Sequence, residues 1–440
     1  MPSKPVWKKV QFRLLFKIQF LGAFNDNFFK NALFLLIIFS HYSIFGLSSD
    51  KLIALGGGLF ILPFFLFSAF AGELGDQYCK KNLIFYIKIW ELIIMSFALG
   101  AFYFKSFELL LCLLFLTGMQ STFFGPLKYS ILPEIVDGDQ LVAANGFIEM
   151  GTFLSILLGT ILGGLLVSIA GDYSRVIVGV TVVAISLFGL QVSHQLKKGS
   201  KFKKKETQKS SQGVLRVHLN LWKVCRESKL VWSFILLISW FWCMGTILLS
   251  IFPVYVEETL FATSSVATML LAIFSIGIGV GNILCEKLIK KFGLKNIMLT
   301  AVLGLSLFSA DLFVLGEPIF FSSEKPRELL DLLGYLSFWR ILMDLLFLAI
   351  SGGVFIVPLY AGLQKFGKPQ QLSSVIAGNN IINAFFMVLG SLALIALYEL
   401  GLKKHDIYLI LSLLNIIVCI FVYFIYSQNI NEYLQGDHDG

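Results

Sequence analysis

Charge is scarce in this chain. Only 14% of its 440 residues are Asp, Glu, Lys or Arg, against about a quarter in soluble domains, which excludes an ordinary water-soluble fold. Cysteine is sparse as well. The six cysteines, at 79, 112, 225, 243, 285 and 419, form no C-x-x-C pair, so neither a disulfide framework nor a zinc site is expected. The five histidines, at 41, 194, 218, 405 and 438, have no convergent partners in the pattern, which argues against a membrane enzyme. A cleavable signal peptide is not expected either, because the first apolar run is too long, polar at its middle, and lacks a small-residue cleavage site. What abounds is apolar side chain: 57% of residues are hydrophobic and the mean hydropathy is +0.81. The net charge of +8 could suggest nucleic acid, but the basic residues sit between apolar runs, where they set topology. The chain reads as an all-α integral membrane protein, with no cofactor, metal or nucleic-acid partner expected.

A span needs about 20 apolar residues. Twelve are legible, at 12–40, 52–72, 82–104, 107–131, 141–169, 174–194, 230–256, 263–288, 294–316, 333–362, 373–400 and 406–427. An even number places both termini on one side. Of the 35 basic residues, only Lys51, Lys105, Arg175, Lys325, Arg327, Lys403 and Lys404 fall in one set of loops. The positive-inside rule therefore makes both termini cytoplasmic. This divides the chain into a six-helix bundle at 1–196, a basic cytoplasmic linker at 197–229, a second bundle at 230–428 and a tail at 429–440. The linker cluster Lys197 to Lys205 reads as a solvated, topology-fixing segment that could also touch anionic lipid heads. Val214 to Arg226 reads either as an interfacial amphipathic helix or, from the alternation of Leu215, Val217, Leu219 and Leu221, as a strand.

The first span carries Asn25, Asp26, Asn27, Lys30 and Asn31 at its centre. A charge at the bilayer centre costs roughly 2.5–3.5 kcal/mol on the insertion scale, so such a helix must face a polar cavity. At 100° per residue Asp26 and Lys30 lie about 40° apart, and Asp26, Asn27, Lys30 and Asn31 share an arc of roughly 140°. One polar face results. Further candidates for the cavity are Lys128, Asn145, Glu149, Arg340, Asp344, Asn379 and Asn383. Lys88 and Glu91, and Arg340 and Asp344, read as neutralising pairs within their helices, with phosphate binding left open for Arg340. Asp311 reads as structural or near the outer surface.

The two halves share a plan. Pro126-Leu127-Lys128-Tyr129 precedes Ala143-Ala144-Asn145-Gly146, as Pro358-Leu359-Tyr360-Ala361 precedes Ala377-Gly378-Asn379-Asn380. Between spans two and three, Gly72-Glu73-Leu74-Gly75-Asp76-Gln77-Tyr78-Cys79-Lys80-Lys81 resembles the major facilitator superfamily signature G-x-x-x-D-R-x-G-R-R, departing from it at Gln77 and Cys79. That resemblance implies two six-helix bundles and a conformational switch at Gly72, Asp76, Lys80 and Lys81, with the aspartate free to cap a neighbouring helix. Gly151, Ser155, Gly159 and Gly163 form a small-residue stripe on span five that lets a helix pack closely. Gly159-Thr160-Ile161-Leu162-Gly163-Gly164 lacks the proline of the drug antiporter motif.

Leu21-Gly22-Ala23-Phe24-Asn25-Asp26-Asn27, Gly125-Pro126-Leu127-Lys128-Tyr129, Ala143-Ala144-Asn145-Gly146 through Glu149, Phe355-Ile356-Val357-Pro358-Leu359-Tyr360 and Ala377 through Ala384 resemble the bacterial lysophospholipid transporter family. The resemblance implies a flippase of the bacterial inner membrane that moves lysophosphatidylethanolamine and related lipids from the outer to the inner leaflet for reacylation. Many members are fused to acyltransferase and acyl-ACP synthetase domains. Here no His is followed five positions later by Asp, so acyl transfer is expected from another polypeptide. A carrier of a soluble solute, such as a drug, sugar phosphate or organic ion coupled to an ion gradient, is the alternative.

Overall fold

In hydrocarbon every backbone amide must find its partner within the chain, so apolar runs of this length become helices. The computed structural model, which describes residues 5–44, 47–198, 214–315 and 326–427, has twelve long helices of this kind. They are α1 (Val10–Phe39), α2 (Ser49–Gln77), α3 (Lys80–Tyr103), α4 (Phe107–Ser130), α5 (Leu141–Ile169), α6 (Ser174–Lys197), α7 (Lys229–Glu258), α8 (Ser264–Phe292), α9 (Leu294–Val314), α10 (Leu336–Phe366), α11 (Leu372–Glu399) and α12 (Lys404–Ser427). Eleven are long and apolar enough to cross a membrane. The twelfth, α1, has the length but carries Asp26, Lys30 and three asparagines at its middle. Several helices outrun their apolar cores. α2 continues through Gln77, well past the expected end at 72, because helical hydrogen bonding persists into the polar interface. Residues 199–205 of the basic cluster and the tail at 429–440 lie outside the described residues.

The chain divides into two compact units. The first comprises Met1–Ala144, Leu154–Ser228 and Leu363–Ala384; the second comprises Asn145–Phe153, Lys229–Gly362 and Phe385–Gly440. Glycine sets the closest packing inside each. In the first, Gly118 of α4 lies on the backbone of α2, where a Cβ would strike the Phe60 carbonyl. Gly159 and Gly163 of α5 lie against α1, a Cβ there coming within 2.6 Å of the Phe24 carbonyl and 2.8 Å of the Phe28 carbonyl. The small-residue stripe thus serves α1. In the second unit Gly281 of α8 sits on the Ile350 carbonyl of α10, and Gly353 of α10 on the Ile278 carbonyl of α8. α3 packs along α6, and α9 along α12. Pairs two–four and three–six in one unit therefore recur as eight–ten and nine–twelve in the other, the offset of six that a duplication requires.

Overpacking a close helix contact costs about 1–3 kcal/mol. Gly118→Val is expected to lose that much stability, read as a lowered unfolding temperature in detergent. Gly58, whose Cβ would meet nothing within 4 Å, is the control: Gly58→Ala should be neutral or gain up to about 1 kcal/mol.

The segment that read as helix or strand is a helix, Val214–Arg226. Its four-residue period decides the matter. Leu221 and Cys225 are buried against Gly378 and Val375 of α11, while Trp222 is exposed with the Arg226 guanidinium 4.4 Å above its ring. Burial pushes the Cys225 thiol up to about 12, leaving it inert as a nucleophile.

Candidate functional site

Successive residues of a helix diverge by 100°, and the polar run of α1 uses that divergence. Asn25 points to α3 and α6, where Nδ2 donates to Ser186 Oγ at 2.9 Å and to Glu91 Oε1 at 3.3 Å. Asp26 points to α4 and accepts from Ser121 Oγ at 2.5 Å. Asn27 turns back on its own helix, donating to the Ala23 carbonyl at 2.8 Å. Asn31 reaches α5 and donates to the Thr160 carbonyl at 2.7 Å. One short segment thus meets four other helices of the first unit.

Beneath Asp26 lies a closed ionic core. Lys88 and Glu91 are 0% and 1% exposed and pair at 2.5 Å, as their i, i+3 spacing on α3 led one to expect. Gln120 Nε2 and Asn25 Nδ2 both donate to Glu91 at 3.3 Å, so this carboxylate is well supplied. The ammonium of Lys88 fits because position 22 is glycine: a Cβ there would come within 2.8 Å of Nζ.

Asp26 is different. It is 7% exposed, and its second oxygen, Oδ1, is buried with no hydrogen-bond partner among the described residues. Ser121 has a single proton, and its 2.5 Å contact with Asp26 takes that proton ahead of the 3.3 Å contact with Gln120 Oε1. Lys30, one turn along α1, is half-buried with Nζ 5.2 Å from the Phe60 ring centre. No ion pair within 4 Å joins it to Asp26 among the described residues. An anion and a cation thus share one face without neutralising each other. Lys128 lies two turns beyond Ser121 on the same face of α4, about 10 Å along the axis, with Nζ 4.6 Å from the Tyr129 ring centre.

The remaining candidates divide between the units. Asn379 and Asn383 of α11 are buried in the first. Asn145 and Glu149 of α5 are fully buried in the second. Arg340 and Asp344 also belong to the second unit, but not as the expected pair. Arg340 grips Asp311 of α9 with two bonds, Nε to Oδ2 at 2.8 Å and Nη2 to Oδ1. Side chains on a helix lean toward its N-terminus, so Arg340 leans away from Asp344, four residues later. Three contributors escaped the sequence reading: Gln120, Ser121 and Ser186 are uncharged and follow no spacing that marks them.

The switch candidates gather at one helix end. Asp76 Oδ1 accepts from Ser373 N at 2.8 Å, and Oδ2 from Ser374 N at 3.0 Å and Ser374 Oγ at 2.6 Å. The carboxylate caps the N-terminus of α11, where orphan amides and the helix dipole favour negative charge. Gly72 permits the approach, since a Cβ there would lie 2.6 Å from that of Ala377. Lys80 pairs with Glu134, Lys81 is half-buried, and Gln77 donates to Glu73 Oε1 at 2.8 Å.

The second unit holds an apolar cavity of about 80 Å³ lined by Phe153, Phe241, Trp242, Phe274, Ile278 and Met387, among others. An apolar groove in the first unit, bounded by Tyr86, Trp90, Phe123 and Leu127, lies about 200° around α4 from Ser121 and is no extension of the Asp26 site.

The family described as Major Facilitator Superfamily matches residues 15–391. The lysophospholipid transporter LplT of Photorhabdus laumondii is 26% identical over 392 residues, 88% of this chain and 87% of that protein. Its namesake from Enterobacter sp. (strain 638) is 28% identical over 393 residues, with the same coverage of 88% and 87%. Among solved structures, the transporter FucP in its outward conformation superposes with a TM-score of 0.67 at 14% identity, over 94% of this chain and 98% of its own. A bacterial homologue of the iron transporter ferroportin gives 0.65 at 13% identity, over 94% and 100%.

Proposed function

The chain belongs to the major facilitator superfamily, and we propose that it carries lysophospholipids of the lysophosphatidylethanolamine type from the outer to the inner leaflet of the bacterial cytoplasmic membrane. The observation that carries this reading is the open charge pair on α1: Asp26 with a buried oxygen that has no hydrogen-bond partner among the described residues, and Lys30 one turn away, turned to an aromatic ring. A zwitterionic head group needs both signs in one place. The single acyl chain, worth about 0.8 kcal/mol per buried methylene, stays in lipid throughout. The names of the relatives point to the same cargo.

In this mechanism Asp26 receives the ammonium, with Ser121 fixing the carboxylate. The phosphate is met by Lys30 one turn outward and then by Lys128 two turns inward. Two bundles, 1–196 and 230–428, rock about the site by alternating access, joined by the linker at 197–229. The Asp76 cap on α11 holds one of the two states. An acyltransferase on another polypeptide restores the second chain.

The deciding experiment uses spheroplasts that lack their own lysolipid importer but keep an inner-leaflet acyltransferase. Acyl-labelled lysophosphatidylethanolamine should pass into diacyl lipid only when this chain is expressed. Absence of conversion with inserted, folded protein would transfer the cargo to the soluble-solute class.

A further inference from the structure

We propose that the exposed cationic face of the linker helix, Val214–Arg226, binds anionic phospholipid of the cytoplasmic leaflet, and that the bound lipid braces this helix against α2 and the capped end of α11. These 13 residues include one lysine and two arginines and no aspartate or glutamate. Leu221 and Cys225, one turn apart, form the buried stripe. Gly378 of α11 makes room for them, since a Cβ there would strike Cys225 Sγ. Trp222 and Arg226 follow at 100° around the helix, and Lys223 at about 200°. All three are exposed, Trp222 by 44%. The Arg226 guanidinium lies over the Trp222 ring, so an indole and a delocalised cation form one amphipathic patch with Lys223 beside it. The acid that follows, Glu227, is paired with Lys368 at 2.6 Å and leaves the patch positive.

Depth selects the partner. α11 starts at Leu372, on the cytoplasmic side by the distribution of Lys and Arg. Gly378 lies six residues in, about 9 Å along the axis, and the head-group layer of one leaflet is roughly 5–8 Å thick. The linker helix therefore lies at the level of the lipid heads. An indole at that level has its apolar ring in lipid and its polar edge in water. Cations there gain from the negative potential of the leaflet, which falls away within a Debye length. An acidic cytosolic protein would have to displace lipid to reach the same indole.

The bound lipid acts beyond its own site. The linker helix also packs on α2, which carries Asp76. On α11 it rests against Val375 and Gly378, directly after Ser373 and Ser374, whose amides Asp76 caps. A lipid that immobilises the linker helix thus supports both sides of the cap. Its effect on transport rests on the proposed role of that cap, whereas binding depends on neither the cap nor the cargo.

Two measurements on the purified full-length chain test this. Native mass spectrometry in detergent, with diacyl phosphatidylglycerol or phosphatidylcholine titrated in, counts the bound lipid. The tightest phosphatidylglycerol should weaken about 30-fold in Lys223→Gln/Arg226→Gln, the loss of two cations near a lipid surface. Phosphatidylcholine binding should not change. Lys287→Gln/Lys291→Gln, which removes the same charge from exposed positions on α8, should retain the phosphatidylglycerol. Equal loss in the two double variants, or none in the first, would overturn the proposal. Hydrogen exchange of the wild type in nanodiscs locates the site without any variant. With phosphatidylglycerol present, amides 214–226 should exchange more slowly than in phosphatidylcholine alone, by about fivefold or more. Equal exchange in the two lipids would overturn the proposal. So would protection in detergent by polyglutamate but not by phosphatidylglycerol, which would make the face a dock for an acidic protein. Protection by soluble glycerol phosphate alone would overturn it as well, reducing the face to a simple anion site. The probe lipid has two acyl chains and nothing is transported, so failure here and failure of the cargo experiment are separate results.

Discussion

Asp26→Asn is expected to lower uptake of lysophosphatidylethanolamine by about 30-fold or more. Truncating one partner of a desolvated charge contact costs about 2–5 kcal/mol, and each 1.4 kcal/mol is tenfold in affinity. Asparagine keeps the shape of the side chain and an oxygen for the Ser121 hydroxyl, now 2.5 Å from Asp26 Oδ2, so the substitution removes charge and little else. The loss should fall on ethanolamine heads and spare glycerol heads, which bring no ammonium. Label transfer from the two lysolipids, at matched expression, measures both. Full activity of the variant would end the charge role of Asp26. Equal loss on both lipids would move that role from ammonium recognition to the architecture of α1.

Lys88→Met should destabilise the protein by about 3–5 kcal/mol, the usual cost of leaving a buried charge without its partner. Glu91 would keep its bonds from Gln120 and Asn25, both at 3.3 Å, but neither carries a positive charge. Adding Glu91→Gln to the same chain should recover part of the loss, because it removes the unpaired charge and keeps an oxygen for one of the two amides, which donate to separate oxygens of Glu91. Thermal unfolding of the single and double variants in detergent provides the comparison. Equal unfolding temperatures for wild type and Lys88→Met would mean that the pair contributes nothing to the fold.

The polar run of α1 and the Lys88–Glu91 pair were legible because charges in an apolar span stand out against their background. So was the cap: an aspartate after two glycines at a span end suggested a helix N-terminus as its partner, and α11 supplies it. Ser121 and Gln120 stayed hidden because a neutral polar residue on a helix more often returns its bond to its own backbone. Thr117 and Thr122 of the same helix do so, donating to Leu113 and Gly118 at 2.8 Å. Arg340 shows a different limit. Spacing of four residues gives nearness along a helix but not direction, and its carboxylate came from α9. The Val214–Arg226 segment was ambiguous for a related reason, since a short run fits periods of 2 and 3.6 alike until its neighbours are known. Leu221 and Cys225 found theirs on α11.

The polar centre of α1 also bears on how the protein is made. This helix is made before its partners, yet its polar groups are satisfied by Ser121 of α4, Thr160 of α5 and Ser186 of α6. At a synthesis rate of about 5–20 residues per second, α1 precedes α6 by roughly 10–30 s. During that interval it carries an acid, a base and three amides with none of these partners in place. Until the sixth helix arrives, the charges of α1 bear an insertion cost of roughly 2.5–3.5 kcal/mol each that these partners do not yet offset.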